Sequence, residues 1–259
     1  MPFTHLGIAS RPTFLIIGAQ KAGTSGLHRV LNQHPNLCGT ELKEVHYFDN
    51  DQWYSPSNTS QYLSRFPLPI RSRDQHYFES TPSYLYHPKV AERIQMFDAK
   101  IKLIVALRDP AERALSAWKM YHYGFKTGYF QHLHDPRPFQ KAIEEELNEI
   151  DTTTYYSNPT AYVKRGMYAE QIARYLHHFP SGQILFLEQQ EILHDLDHTL
   201  HHVFDFLGVE SLKLPQVIAN KGQETVDNAV LDAMVQLREF YKPHNIKLAE
   251  LLQRQFSWT

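Results

Sequence analysis

The 259-residue chain has one cysteine, Cys38. No internal disulfide can form, which fits a reducing compartment or a fold that needs no covalent staple. It has no excess of either charge. The 26 Lys and Arg stand against 28 Asp and Glu, a formal net charge of −2. Without a global basic field nucleic acid is not an expected partner, and any polyanion must meet a local patch. It has no long apolar run. The opening MPFTHLGIASRPTFLIIG lacks the basic start, apolar core and small-residue cleavage site of a secretory signal. Its apolar run at 14–17 is too short for a membrane span. A soluble, cytoplasmic protein is the expectation. Sixteen histidines are present, but none falls in an HExxH or Cys/His ligand spacing, so no metal is expected. Repeats and low-complexity tracts are also missing.

What is present is an alternation of elements. TFLIIG (13–18), IKLIVAL (101–107) and QILFLE (183–188) are short apolar runs bounded by turn or charged residues, the pattern of buried parallel strands. HYFEST (76–81) is a weaker fourth. Helical periodicity falls at 24–34, 88–97, 110–123, 161–178, 195–207 and 227–253. Strands alternating with helices predict one α/β domain over 1–259, a central parallel β-sheet flanked by helices on both faces. Two aromatic, proline-punctuated stretches, near 50–75 and 124–160, read as acceptor-side binding loops or as plain surface excursions.

The first strand runs into GAQKAGTSG (18–26). A strand, a glycine loop and a helix start form an anion site, because free backbone N–H groups and the helix dipole face the ligand. Gly23 admits close approach, Thr24 and Ser25 can cap the helix or donate to phosphate, and Lys21 adds a point charge. The lysine precedes the glycine, whereas ATP loops end Gly-Lys-Ser/Thr. A second constellation, LRDPAERALS (107–116), puts Arg108 at a strand end, Asp109 and Pro110 at a helix start, and Arg113 and Ser116 three residues apart on that helix. Both loops leave the C-terminal edge of the predicted sheet, where ligands of open α/β sheets bind. Two phosphate positions on one edge fit a nucleotide bisphosphate.

GAQKAGTS resembles the 5′-phosphosulfate loop of sulfotransferases that use 3′-phosphoadenosine-5′-phosphosulfate (PAPS), and LRDPAERALS resembles their 3′-phosphate motif. KEVHYFDN (43–50), ESTPSYLYHPKVAERI (79–94), RGMYAEQIARYLHHFP (165–180) and the closing RQFSWT are similar to the heparan sulfate glucosaminyl sulfotransferases and their bacterial relatives. The resemblance covers most of the chain. It implies the P-loop-like sulfotransferase fold, PAPS as donor, and an acceptor hydroxyl or amine on a carbohydrate or small molecule. It implies donor contacts from Lys21, Ala22, Gly23, Thr24, Ser25, Arg108 and Ser116. Lys21 would stabilise the bridging oxygen, Glu44 would be the general base and His46 its helper. Glu44 and His46, two apart, share a face in an extended segment, with Lys43, Val45 and Tyr47 on the other. Asp49 either orients substrate or ends the strand. Glu79 and Tyr84 either line the cleft floor or hold the first loop. Arg165 either faces the nucleotide or pairs with Glu170.

The animal glycan enzymes carry a cysteine-paired hairpin before a Lys-Gly-Arg stretch. Here ANKGQET (219–225) keeps Lys221 and Gly222 but has Gln223 for the arginine. A lysine and backbone grip on the 3′-phosphate is thereby implied, without a bidentate arginine. A kinase or ATPase would need a Gly-Lys-Ser/Thr loop. A non-catalytic nucleotide-binding protein of the same fold would bind the bisphosphate without turnover.

Overall fold

The computed structural model describes residues 10–69, 74–128, 130–150, 158–215 and 227–259. In chain order the elements are β1 (Pro12–Gly18), α1 (Thr24–Leu31), β2 (Leu37–Gly39), α2 (Thr59–Leu63), β3 (His76–Ser80), α3 (Val90–Phe97), β4 (Lys102–Leu107), α4 (Pro110–Lys119), α5 (Phe139–Asn148), α6 (Tyr168–His178), β5 (Ile184–Glu188), α7 (Gln189–His194), α8 (Leu196–Leu207) and α9 (Asn228–Leu252). The five strands form one parallel sheet in the order β2-β3-β1-β4-β5. Phe14, Leu15, Ile16 and Ile17 of β1 are all fully buried, so both faces of the central strand are covered. This is why the strands read as unbroken apolar runs rather than alternating ones.

The four predicted strands and six predicted helices are present, with shifts at their ends. The helix predicted over 110–123 is α-helical only to Lys119 and continues as a π-helical turn, Met120–Gly124. The segment predicted over 161–178 opens with a 3₁₀ turn, Lys164–Gly166, before α6. β2, α2, α5 and α7 are additional. α2 and α5 lie inside the two stretches predicted as irregular connections. α5 forms because Phe139, Ala142 and Ile143 share one buried face against a second apolar cluster containing Trp118, Leu237 and Tyr241. No described helix is long and apolar enough to cross a membrane.

Two contacts set the geometry near the sheet edge. A Cβ on Gly18 would stand 2.6 Å from the Cβ of Leu85, so the 81–86 turn can lie directly on the end of β1. A Cβ on Gly166 would collide with the Tyr241 hydroxyl and come within 2.9 Å of Pro110, which fixes the 3₁₀ turn against the start of α4.

Candidate active site

The phosphate loop folds by short backbone bonds. Ala19 N–H donates to the Ala106 carbonyl of β4 at 2.7 Å, and Ala22 N–H to the Ala19 carbonyl at 3.1 Å. Lys21 has φ +69° and Gly23 φ +90°. α1 starts with Gly23 as its N-cap and no side-chain cap bond. The Thr24 and Ser25 hydroxyls therefore do not cap the helix, contrary to one reading of the sequence. Leu27 N–H reaches the Gly23 carbonyl, while the N–H groups before it have no acceptor within the helix. Ala22 is fully buried, and its N–H is bonded within the loop to the Ala19 carbonyl.

The Lys21 ammonium lies 3.6 Å from the Met120 sulfur. Burial, and then the neighbouring Arg108 charge, pulls its pKa below the usual lysine value. Arg108 steadies the loop: one guanidinium nitrogen donates to the Lys21 carbonyl at 3.4 Å, and another pairs with Glu112 at 3.2 Å. Asp109 caps α4 as its sequence position predicts, accepting from Ala111 and Glu112 N–H at 2.8 and 3.1 Å. Arg113 turns away. It is fully buried and donates to the Tyr162 carbonyl, which leaves Ser116 beside Arg108 on the cleft wall.

The segment 43–49 is a bent loop, not the extended strand end expected from the sequence. Glu44 and His46 have φ +64° and +56°. Among the described residues, only these two, Lys21 and Gln253 combine a side chain with positive φ. Such conformations are costly for non-glycine residues and cluster at functional sites. Val45 and Tyr47 still point inward and are buried, so the alternation survives although the extended backbone does not. Lys43 does not alternate away; it donates to Glu44 Oε1 at 2.6 Å. His46 stands between two carboxylates, with Nδ1 2.9 Å from Asp49 Oδ2 and Nε2 3.7 Å from Glu44 Oε2. Burial works against the His46 charge, but hydrogen bonding to Asp49 and Glu44 outweighs it and pushes the pKa up to about 10. Burial would likewise raise the Glu44 carboxyl, yet His46 and Lys43 hold it down to about 2. Asp49 also accepts from the Ser83 hydroxyl, so it orients the imidazole rather than substrate; the three-residue spacing of His46 and Asp49 in HYFD is a signal that could have shown this.

Glu79 resolves differently from either sequence reading. It is fully buried beneath the loop and accepts from Tyr62 at 2.8 Å, Tyr84 at 2.9 Å and Thr81 at 2.8 Å. Burial raises its carboxyl pKa while those hydroxyls restrain the rise. The Tyr84 oxygen in turn accepts Tyr47 N–H at 3.0 Å. Glu79 and Tyr84 thus brace the 43–49 loop from below.

These parts meet in one cleft of about 670 Å³ at the C-terminal edge of the sheet. Its wall includes Lys21, Gly23, Thr24, Ser25, Lys43, Glu44, His46, Arg108 and Ser116. Arg165 joins them. Its guanidinium carbon lies 4.5 Å from the Tyr86 ring centroid, its Nε is buried without a hydrogen-bond partner, and it forms no ion pair with Glu170 among the described residues. Lys221 and Gly222 lie outside the described residues.

A parallel sheet with an anion loop, a second basic position and an ion-paired carboxylate on one edge defines a nucleotide-dependent group transferase. The sequence model of the sulfotransferase domain matches residues 11–245, and the chain belongs to that family of PAPS-dependent enzymes. It is 27% identical over 284 residues to heparan sulfate glucosamine 3-O-sulfotransferase 3B1 of Mus musculus, covering 99% of this chain and 67% of that protein. It is 25% identical over 279 residues to the bifunctional heparan sulfate N-deacetylase/N-sulfotransferase 4 of the same organism, covering 94% of this chain and 30% of that protein. A sulfotransferase from Alicyclobacillus acidocaldarius superposes with a TM-score of 0.73 at 26% identity, covering 96% of this chain and 99% of that one.

Proposed function

We propose that the chain moves a sulfuryl group from PAPS to an acceptor hydroxyl or amine, with Lys21 at the bridging oxygen and Glu44 as general base. The observation that carries this is the convergence of Lys21 with the Glu44–His46–Asp49 series across one cleft. The donor suits the residues present. Uncapped N–H groups at the start of α1 and the Thr24 and Ser25 hydroxyls match a 5′-phosphate, while Arg108 and Ser116 match a second phosphate. Bound there, PAPS supplies an SO₃ group whose departure leaves negative charge on the bridging oxygen.

Lys21 meets that charge. A partly desolvated ammonium stabilises a developing oxyanion more than a solvated one does. Glu44 stays ionised through neutral pH and accepts the acceptor proton. In a loose transfer the acceptor proton becomes acidic as the new S–O or S–N bond forms, and Glu44 would take it at that stage. His46, held charged by Asp49, keeps Glu44 ionised and oriented.

Radiolabelled PAPS offered with a panel of glycans, phenols, lipids and amines tests the reading. Transfer is expected for wild type, with roughly a hundredfold or greater loss of kcat in Glu44→Gln and Lys21→Ala. Absence of both transfer and adenosine 3′,5′-bisphosphate binding would refute it. Bisphosphate binding without transfer to any acceptor would favour a non-catalytic member of the fold. A thermal shift with ATP–magnesium but none with the bisphosphate would favour a kinase-like enzyme.

A further inference from the structure

The cleft has two unlike walls. One holds the charged groups assigned above. The other comes largely from a single stretch after α4. Met120 and Tyr121 lie in its π-helical turn, Phe125, Phe130 and Leu133 follow, and Pro159 adjoins them. None of these six residues is charged, and the Arg165 guanidinium of the same cleft lies near enough to Tyr121 to interact with it. The Tyr121 and Phe125 rings meet edge-on at 5.4 Å, and Phe125 and Phe130 follow at 5.3 Å, a run of rings facing the cleft. Phe130 keeps 50% of its surface exposed.

This wall begins at the reacting centre. Lys21 Nζ touches the Met120 sulfur, and the Gln20 amide, one residue before Lys21, donates to the Tyr121 hydroxyl at 3.1 Å. Most cations among the described cleft residues have partners elsewhere, while Arg165 keeps an unpartnered Nε. Lys21 and Arg108 belong to the donor side, Lys43 is paired with Glu44, Arg29 donates to the Ser25 carbonyl of its own helix, and Arg165 lies over Tyr86. A polyanionic sugar chain calls for a basic acceptor wall. An uncharged run of rings calls for a flat apolar body with one polar group to be oriented.

We infer that the acceptor is a neutral, ring-bearing alcohol or phenol seated against Tyr121, Phe125 and Phe130, not a sulfated or uronic glycan. This rests on the sulfuryl-transfer reading. In the step, a lone pair of the acceptor oxygen forms the new S–O bond while the bond from sulfur to the bridging oxygen breaks. The bridging oxygen keeps that electron pair beside Lys21, and the hydroxyl proton passes to Glu44. The products are an organic sulfate and adenosine 3′,5′-bisphosphate.

The experiment compares 2-naphthol with an N-sulfated glucosamine–uronic acid oligosaccharide as acceptors for PAPS. Wild type, Phe125→Ala, Phe130→Ala and the double variant are assayed, and bisphosphate binding is measured by calorimetry for each. The expected result is preferential sulfation of naphthol. Each single variant should lose about tenfold in kcat/KM for naphthol, with bisphosphate affinity unchanged, which also shows that the variants are folded. Preferential sulfation of the oligosaccharide, or alanine variants that treat naphthol as wild type does, overturns the inference and leaves sulfuryl transfer standing. Bisphosphate binding with transfer to neither acceptor also overturns it. Loss of bisphosphate binding in wild type overturns the sulfuryl-transfer reading instead.

Discussion

His46 holds one carboxylate with each ring nitrogen, at unequal distances, and the inequality has a use. The shorter bond, to Asp49, anchors the ring; the longer approach, to Glu44, leaves that carboxylate able to turn toward an incoming proton. Removing the imidazole takes away the largest influence that lowers the Glu44 pKa, while burial, which raises it, remains. His46→Ala is therefore expected to move the acid limb of the kcat/KM profile upward from near pH 2 toward the ordinary glutamate value, with Lys43 still opposing the rise. With the roles proposed above, the alkaline limb in wild type is expected to follow His46, near pH 10, and Lys21, whose pKa burial lowers from its usual value. A pH–rate series on both proteins checks this, and an unmoved acid limb would remove His46 from the account. At this scale the sequence was readable in part. The two-residue spacing of Glu44 and His46 announced a shared direction. The left-handed backbone at both residues did not show, because the glutamate gives no signal for positive φ and a histidine's modest preference is not enough to place it.

Elements supply the stiffness that these strained residues lack. The turn after β3 carries Tyr84, whose hydroxyl donates to Glu79 and accepts from Tyr47 N–H. Tyr84→Phe would leave that buried N–H and one Glu79 lone pair without partners. A loss of about 1–3 kcal/mol in unfolding free energy is expected, visible as a lower urea midpoint at unchanged slope. Turnover should fall further than the unfolded fraction explains while bisphosphate affinity holds, since the brace lies under the 43–49 loop. An unchanged kcat would show that the loop does not depend on it. Elements were legible where burial is continuous or the period is long, as in β1, β4, β5 and α9. β2 has three residues, α2 five and α7 six, too few for either period to register. α5 was hidden by the prolines around it, one of which, Pro138, turned out to be its N-cap.

At the scale of the whole molecule, one expected contribution to acid sensitivity comes from a histidine outside the cleft. His28 is buried on α1 with its Nδ1 2.9 Å from the Ser80 hydroxyl, and burial, then the Lys43 charge, lowers its pKa to about 4. Unfolded, it titrates near 6.5, so between those values the unfolded chain binds more protons than the folded one. The stability this residue contributes is complete above pH 6.5 and is lost as pH falls toward 4, by roughly 3 kcal/mol. Melting temperatures of wild type and His28→Gln between pH 7.5 and 4.5 check it: the variant should fall less steeply, and parallel curves would exclude His28 as the cause. The parallel sheet and its loaded edge could be anticipated from strand–helix alternation and from two basic loops. The aromatic wall could not, because its rings are scattered over 120–133 with no helical or strand period that marks a shared face.

The strand order also bears on how the protein comes to exist. β1, the first of this sheet's described strands in chain order, lies in the middle of the sheet, with Phe14 registered against Phe78 on one side and Lys102 on the other. Its apolar run must wait on the ribosome for both neighbours, and the phosphate loop has no Ala106 carbonyl to hold it until β4 has emerged. Pairings so distant along the chain form slowly, and unpaired apolar strands invite association with other chains. The phosphate loop therefore precedes in the chain the strand that completes it, and until β4 pairs, the apolar run at 13–18 is an exposed edge.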